Sequence, residues 1–293
     1  MIPSTIGIGL AFVAMLSWGF GDFFIQKSTR KLGDWETLFF ITIFGTVVLI
    51  PFVWKPFIDL ALNHHSELII LISAALVLTL AAIFQLEGFK KGKISVLEPL
   101  MSFEILSAGV LSFFILGDKI SPIQIFIILT LIVGLFLISF KGKMLAKDFL
   151  IEKGVYIFMF GAILMGAADF LLGWGSRVTD PIVANFVLNI CMAIVSGTMM
   201  ILHPAYRTSM KKIRESRGLI LMMSIADNIG WIAYALAMTI VPIAVATGMS
   251  EASVIVAVLL GLFINKEKLQ KHQKIGLVIA LTSVVFLAFV TVN

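Results

Sequence analysis

The chain has 293 residues, of which 60% are hydrophobic and 13% charged, with a mean hydropathy of +1.07. Soluble domains carry about 25% charged residues, so too little charge is present here to cover a water-facing surface. That excludes a soluble enzyme, a nucleic-acid binder, a disulfide scaffold or a disordered chain.

Breaking the chain at its charged clusters and turn residues leaves ten apolar segments. They run approximately over residues 5–27, 35–54, 68–89, 94–116, 122–140, 154–176, 181–202, 218–239, 243–264 and 273–291. Each is close to the ~20 residues that cross a hydrocarbon core of ~30 Å as a helix. Pro51, Pro56, Pro122, Pro181 and Pro242 stand at or near segment ends, where a missing N–H costs little. Trp35 and Trp54 flank the second span as an interfacial belt would. The first span lacks a basic leader region and carries Gly19, Gly21 and Asp22 inside, so it reads as a membrane span and not a cleaved signal. The single cysteine, Cys191, excludes an internal disulfide.

Of the 22 Lys and Arg residues, 19 fall in the connections after spans 1, 3, 5, 7 and 9, leaving Lys55, Lys119 and Arg177 on the other side. The positive-inside rule then places both termini outside the cytoplasm. The +5 net charge is therefore topological and calls for no acidic partner.

The two halves repeat one another. Gly19-Phe20-Gly21-Asp22-Phe23 in span 1 matches Gly166-Ala167-Ala168-Asp169-Phe170 in span 6, and Arg30 and Arg177 each follow eight residues after the Asp. At the same offset Glu104 in span 4 matches Glu251 in span 9. Leu116-Gly117-Asp118-Lys119 after span 4 has its counterpart in Asn265-Lys266-Glu267-Lys268 after span 9. Five spans per repeat is an odd number, so the second repeat enters the membrane inverted, as in many secondary transporters. The expected fold is an all-α polytopic integral membrane protein of about ten transmembrane helices, in inverted five-helix repeats over residues 1–147 and 148–293.

With these features the chain resembles the drug/metabolite transporter superfamily, and within it the EamA-type permeases. Ser17-Trp18-Gly19-Phe20 is similar to that family's opening helix, and Leu97-Glu98-Pro99-Leu100 to its proline-bearing fourth helix. Two departures are visible: Asp118 stands where the family's turn usually has Glu, and span 9 has no proline to match Pro99. The resemblance also implies cytoplasmic termini, opposite to the charge count. It implies a carrier, not an enzyme, moving a small organic solute through a central cavity between the halves.

Seven of the 17 acidic residues lie within spans: Asp22, Glu87, Glu98, Glu104, Asp169, Asp227 and Glu251. A central acid costs about 2.5–3.5 kcal/mol if ionised and facing lipid, and only Lys27, at the very end of span 1, is a basic residue inside a span. These acids are therefore expected to face a cavity, carry a proton, or meet a cation. In the charge-based orientation Asp22, Glu87 and Glu98 lie toward the cytoplasm. Glu104 and Asp227 are central, and Asp169 and Glu251 lie toward the outside. Trp18 and Asp22 are four residues apart, as are Asp227 and Trp231, so each pair shares a helix face. Asn228 adds a polar neighbour, and a carboxylate beside an indole suits an ammonium or an amphipathic ring. Glu87 and Glu98 sit close enough to span ends that pairing with Lys90, Lys91 and Lys93 also explains them. The ladder Ser253, Ala257, Gly261 reads as close helix packing.

No Walker A, Gly-x-Ser-x-Gly or His-Glu-x-x-His sequence is present, and the four histidines form no metal pattern, so neither cofactor nor metal is expected. The function read here is secondary active transport across the cell membrane by alternating access, with protons or a monovalent cation as the coupling ion. The candidate site is Trp18, Asp22, Glu104, Asp169, Asp227, Asn228, Trp231 and Glu251, in a cavity lined by spans 1, 3, 4, 6, 8 and 9. The expected partners are a small-molecule substrate and the lipid bilayer, in a monomer or homodimer. The alternative class is a polytopic membrane enzyme acting on a lipid-linked substrate, whose carboxylates would gather at one membrane face instead of spreading in depth.

Overall fold

The computed structural model describes residues 2–91, 97–139, 154–202, 210–264 and 268–293. Among these it contains helices and turns and no strand, and ten helices are long and apolar enough to cross a membrane. The chain is a polytopic all-α membrane protein. The expected boundary between residues 147 and 148 lies outside the described residues, as do Lys93, Lys141, Lys143, Lys147, Lys153, Arg207, Asn265, Lys266 and Glu267.

Spans 1 to 3 are the helices Ile2–Leu32, Asp34–Asn63 and His65–Lys91. Spans 5, 6, 7, 8 and 10 are Pro122–Ser139, Val155–Val178, Pro181–Leu202, Arg217–Ile240 and Lys271–Val292. Spans 4 and 9 are irregular. Span 4 opens as a 3₁₀ turn, Glu98–Ser102, continues as Phe103–Leu111 and ends in a π turn, Ser112–Leu116. Span 9 is broken into Ile243–Glu251 and Ser253–Ile264 around Ala252. Glu104 and Glu251, the repeat-related acids, each stand beside one of these irregularities.

One expectation needs correction. Pro51 and Pro56 do not end span 2; both lie inside its helix, which runs on to Asn63. The lost hydrogen bonds are offset by tertiary packing, with Leu60 buried and Phe57 edge-on to Phe186 at 5.1 Å. Gly33 alone separates spans 1 and 2, at φ 118, a backbone angle at which a β-carbon is strained.

The packing follows the repeat. The most extensive interfaces join span 3 to span 6, span 1 to span 8, span 5 to span 10 and span 2 to span 7; next come span 4 with span 6 and span 1 with span 9. Exchanging each span for its partner five positions away converts this set into itself, the signature of a pseudo-two-fold axis. Lipid supplies no hydrophobic drive between helices, so close backbone approach must hold them together. Spans 5 and 10 meet at glycines: a β-carbon on Gly134 would lie 2.7 Å from Ala280 N, and one on Gly276 2.7 Å from Gly134 O. Gln124 donates to Thr291 and Gln273 to the Ile138 carbonyl, both at 3.0 Å, pinning that pair at each end. Large apolar side chains such as Phe114, Phe126 and Phe263 are exposed around the bundle, a lipid-facing belt.

Candidate functional site

The repeat motif of spans 1 and 6 places its glycines against the broken helices. A β-carbon on Gly166 would collide with the Glu104 carbonyl oxygen and lie 2.9 Å from Ala108 N; one on Gly19 would lie 3.0 Å from the Ser253 carbonyl oxygen. Small residues here bring the acid of each intact helix alongside the acid of its broken neighbour. The Asp169 carboxyl lies within reach of both the Glu104 carboxyl and the Tyr234 hydroxyl. Glu251 faces Asp169 and Asp22, and Asp22 in turn faces Asp227.

Five carboxyls from spans 4, 6, 9, 1 and 8 are thus close enough to influence one another electrostatically, in the order Glu104–Asp169–Glu251–Asp22–Asp227. Asp169 and Glu104 are buried, Glu251 and Asp227 partly so, and Asp22 is exposed. Among the described residues no donor reaches Glu104 Oε2. Two carboxyls share a hydrogen bond only with a proton between them.

Aromatic rings divide this series. Trp18 packs edge-on against Trp231 and Tyr234, with centroids 5.1 and 5.2 Å away, and Gly230 leaves room for its indole. The Tyr234 hydroxyl makes a 2.6 Å bond with Thr247 on the side of Asp169. Trp231 turns its indole N–H toward Asp227 on the other.

Asp227 and Trp231 also line a cavity of about 360 Å³. Its walls come from spans 1, 2, 3, 6, 7 and 8. The expected lining is thereby corrected: spans 2 and 7 contribute to it and spans 4 and 9 do not. The cavity runs from exposed Asp34, at the end where the basic connections cluster, to buried Asn185, one turn into span 7 from the other side. Its mouth therefore lies on the basic side. Among the described residues lining it, none is Lys, Arg or His.

The remaining sequence candidates fall elsewhere. Asn228 does not line the cavity; its amide donates to the Ile41 and Ser224 carbonyls and accepts from Asn189 at 3.1 Å, bracing spans 2, 7 and 8. Glu87 pairs with Lys91 one turn on at 2.9 Å, and the Glu98 side chain lies outside what is described. Lys27 sits over the Phe23 ring at 3.9 Å. Among the described residues no His/Cys/Asp/Glu group is arranged to hold a metal ion. Gln85, Asn185 and Asn189 line the cavity without having been singled out. Asn185 and Asn189, one turn apart in an apolar helix, carried the signal.

On the side opposite the mouth, Arg177 closes the bundle. Its guanidinium donates to both Asp118 oxygens at 2.6 and 3.1 Å, and to the Met238 and Val241 carbonyls at 2.7 and 3.2 Å. Ile243 N–H donates to Asp118 Oδ2 at 2.9 Å. One ion pair therefore ties together the ends of spans 4, 6, 8 and 9. Arg30, its repeat counterpart at the other face, is exposed.

A model of the EamA-like transporter family matches the chain twice, over residues 5–140 and 152–289. An "Uncharacterized transporter" of Archaeoglobus fulgidus is 23% identical over 197 residues, a match covering 64% of this chain and 66% of the archaeal protein. A solved crystal structure superposes with a TM-score of 0.74 at 17% identity, over 97% of this chain and 95% of the other, a likeness of fold.

Proposed function

The chain belongs to the EamA-like transporter family, and we propose that it is a secondary active carrier moving a small organic metabolite or drug-like solute across the cell membrane by alternating access, coupled to protons. The observation that carries this reading is the series of five carboxyls contributed by five different spans. The sequence holds no Lys or Arg in the interior of those spans to neutralise them. Ionised carboxyls in such a setting repel one another, so protons or a cationic solute are needed to balance part of their charge. Protons moving along the series would be sensed at Asp227, where it meets the solute cavity.

The contrast between the two membrane faces supports alternating access. One face has a cavity mouth at Asp34 and an exposed Arg30. The other is tied by Arg177 and Asp118. Pseudo-two-fold related halves give two exchanged packings of similar energy, which an inverted-repeat carrier requires.

Purified protein is screened by thermal shift against metabolites, and the solute that stabilises it most is followed in proteoliposomes. A pH gradient should drive its accumulation, and Asp169→Asn should abolish that accumulation while leaving solute counterflow. If the gradient neither drives nor alters uptake in the native protein, proton coupling is wrong.

A further inference from the structure

We infer that the cavity takes a protonated amine carried on a small apolar or aromatic body, with the Asp227 carboxylate as its counter-ion. This assignment rests on the carrier reading and names the substrate class of the same cavity.

Most of the cavity's hydrogen-bond donors are committed within the protein. Thr29 and Thr42 spend their hydroxyl protons on the Ile25 and Leu38 carbonyls, at 2.5 and 2.8 Å. Thr37 spends its proton on Ser28 Oγ at 3.1 Å. Each amide nitrogen commits one of its two N–H groups: Asn185 Nδ2 to the Pro181 carbonyl at 2.8 Å, Asn189 Nδ2 to Asn228 at 3.1 Å and Gln85 Nε2 to Met101 Sδ at 3.6 Å. Their amide oxygens receive no donor from the described residues. Asn185 and Gln85 are themselves buried, 2% and 9% exposed. The remaining polar groups are the carboxyls of Asp227, at mid-depth, and Asp34, at the mouth.

Three amide N–H groups remain, and the amide, hydroxyl and carboxyl oxygens of the lining outnumber them. An ammonium is the matching ligand, with three donors, no acceptor and a positive charge. Phosphates, carboxylates and other anions would find no Lys, Arg or His on the lining and two carboxyls facing them. A sugar or polyol would bring as many acceptors as donors and find few N–H groups for its own oxygens and no use for the carboxyl charge.

The body of the ligand is set by the walls. Leu38, Ile41, Leu78, Leu188, Met165 and Met192 line the cavity with the polar groups, and Trp231 adds an indole to the same lining, a ring against which a cation or a second aromatic is favoured. A volume of about 360 Å³ is at the lower end for ligand pockets, which suits a one- or two-ring amine.

Three probes with one ring system and different head groups test this: tryptamine, tryptophol and indole-3-acetate, added at neutral pH to the full chain in nanodiscs. Tryptamine should raise the melting temperature and bind, tryptophol should bind roughly tenfold or more weakly, and indole-3-acetate should not bind. This ranking is read on the native chain and needs no variant to fold. Asp227→Asn should bring tryptamine down to the level of tryptophol, while Asp227→Glu should keep most of the difference. Equal or tighter binding of tryptophol, preference for indole-3-acetate, or no binding by any probe overturns the amine assignment. A neutral or anionic probe that binds and exchanges in counterflow overturns it while leaving the carrier reading intact. The carrier reading falls only with the separate pH-gradient experiment.

Discussion

Arg177 and Asp118 meet two nitrogens to two oxygens across the ends of spans 6 and 4, and the pair bonds further to Met238 at the end of span 8, to Val241 and to Ile243 at the start of span 9. Arg177 retains 24% and Asp118 10% side-chain exposure, so solvent screens the pair in part. Asp118→Asn should cost about 1–3 kcal/mol of stability, the range for a hydrogen-bonded charge losing its partner near a surface. The double change with Arg177→Gln should recover part of it, read by thermal unfolding in nanodiscs. The same change should loosen the closed face. A cysteine placed at buried Ala244, with Cys191→Ala to remove the native thiol, should react faster with a membrane-impermeant maleimide once Asp118 is neutralised. Unchanged reactivity would mean that the pair holds structure without gating access.

The glycines of the repeat motif set a second expectation. Gly166→Ala drives a methyl into the span 4 backbone at Glu104 and Ala108, whereas the same change at Gly9 meets nothing within 4 Å. Gly166→Ala should destabilise by about 1–3 kcal/mol through overpacking. Gly9→Ala should be neutral or stabilising by up to about 1 kcal/mol through helix propensity. Thermal unfolding of the two variants side by side separates packing from propensity. Equal melting temperatures would refute the close approach.

Asn228 illustrates what sequence pattern could and could not reveal. Its place beside Asp227 and Trp231 makes it look like a ligand-binding amide, yet its bonds run to Ile41, Ser224 and Asn189. Asn228→Ala should cost about 2–3 kcal/mol, since it leaves the Ile41 carbonyl and the Asn189 amide short of partners. It should leave the order of ligand affinities unchanged. A changed order, measured on protein that still unfolds cooperatively, would return Asn228 to the binding site.

The ten spans were legible because ~20-residue apolar runs and the sidedness of Lys and Arg are properties of the chain alone. The Gly-x-x-Asp repeat and the Glu104/Glu251 match were legible for the same reason. What was not legible is which faces meet. Helix spacing placed Asp22 beside Trp18, but the approach of Asp22 to Asp227 and Glu251 depends on span 1 packing against spans 8 and 9. The cavity was misassigned to spans 4 and 9 because charge was the guide. The polar groups lining it are mostly neutral amides and hydroxyls on spans 1, 2, 3 and 7. Pro51 and Pro56 misled because the bonds a proline removes were weighed without the burial of Leu60 and the Phe57–Phe186 contact.

Glu104 gives the most discriminating prediction, because stability and transport should move in opposite directions. Its Oε2 is buried without a donor and its carboxyl faces Asp169, so the native pair is satisfied only with a proton between the two. Glu104→Gln supplies a permanent donor to Asp169 at nearly the same volume. The variant should therefore be as stable as the native protein or more so, by up to about 1–2 kcal/mol, as when an unsatisfied buried polar group gains a partner. It should nevertheless lose proton-driven accumulation in proteoliposomes, since an amide at the buried end of the carboxyl series neither takes up nor releases a proton at neutral pH. A variant that melts higher but still accumulates solute against a pH gradient would remove Glu104 from the proton path. One that melts several degrees lower would show that the carboxyl supports the fold through contacts other than the shared proton.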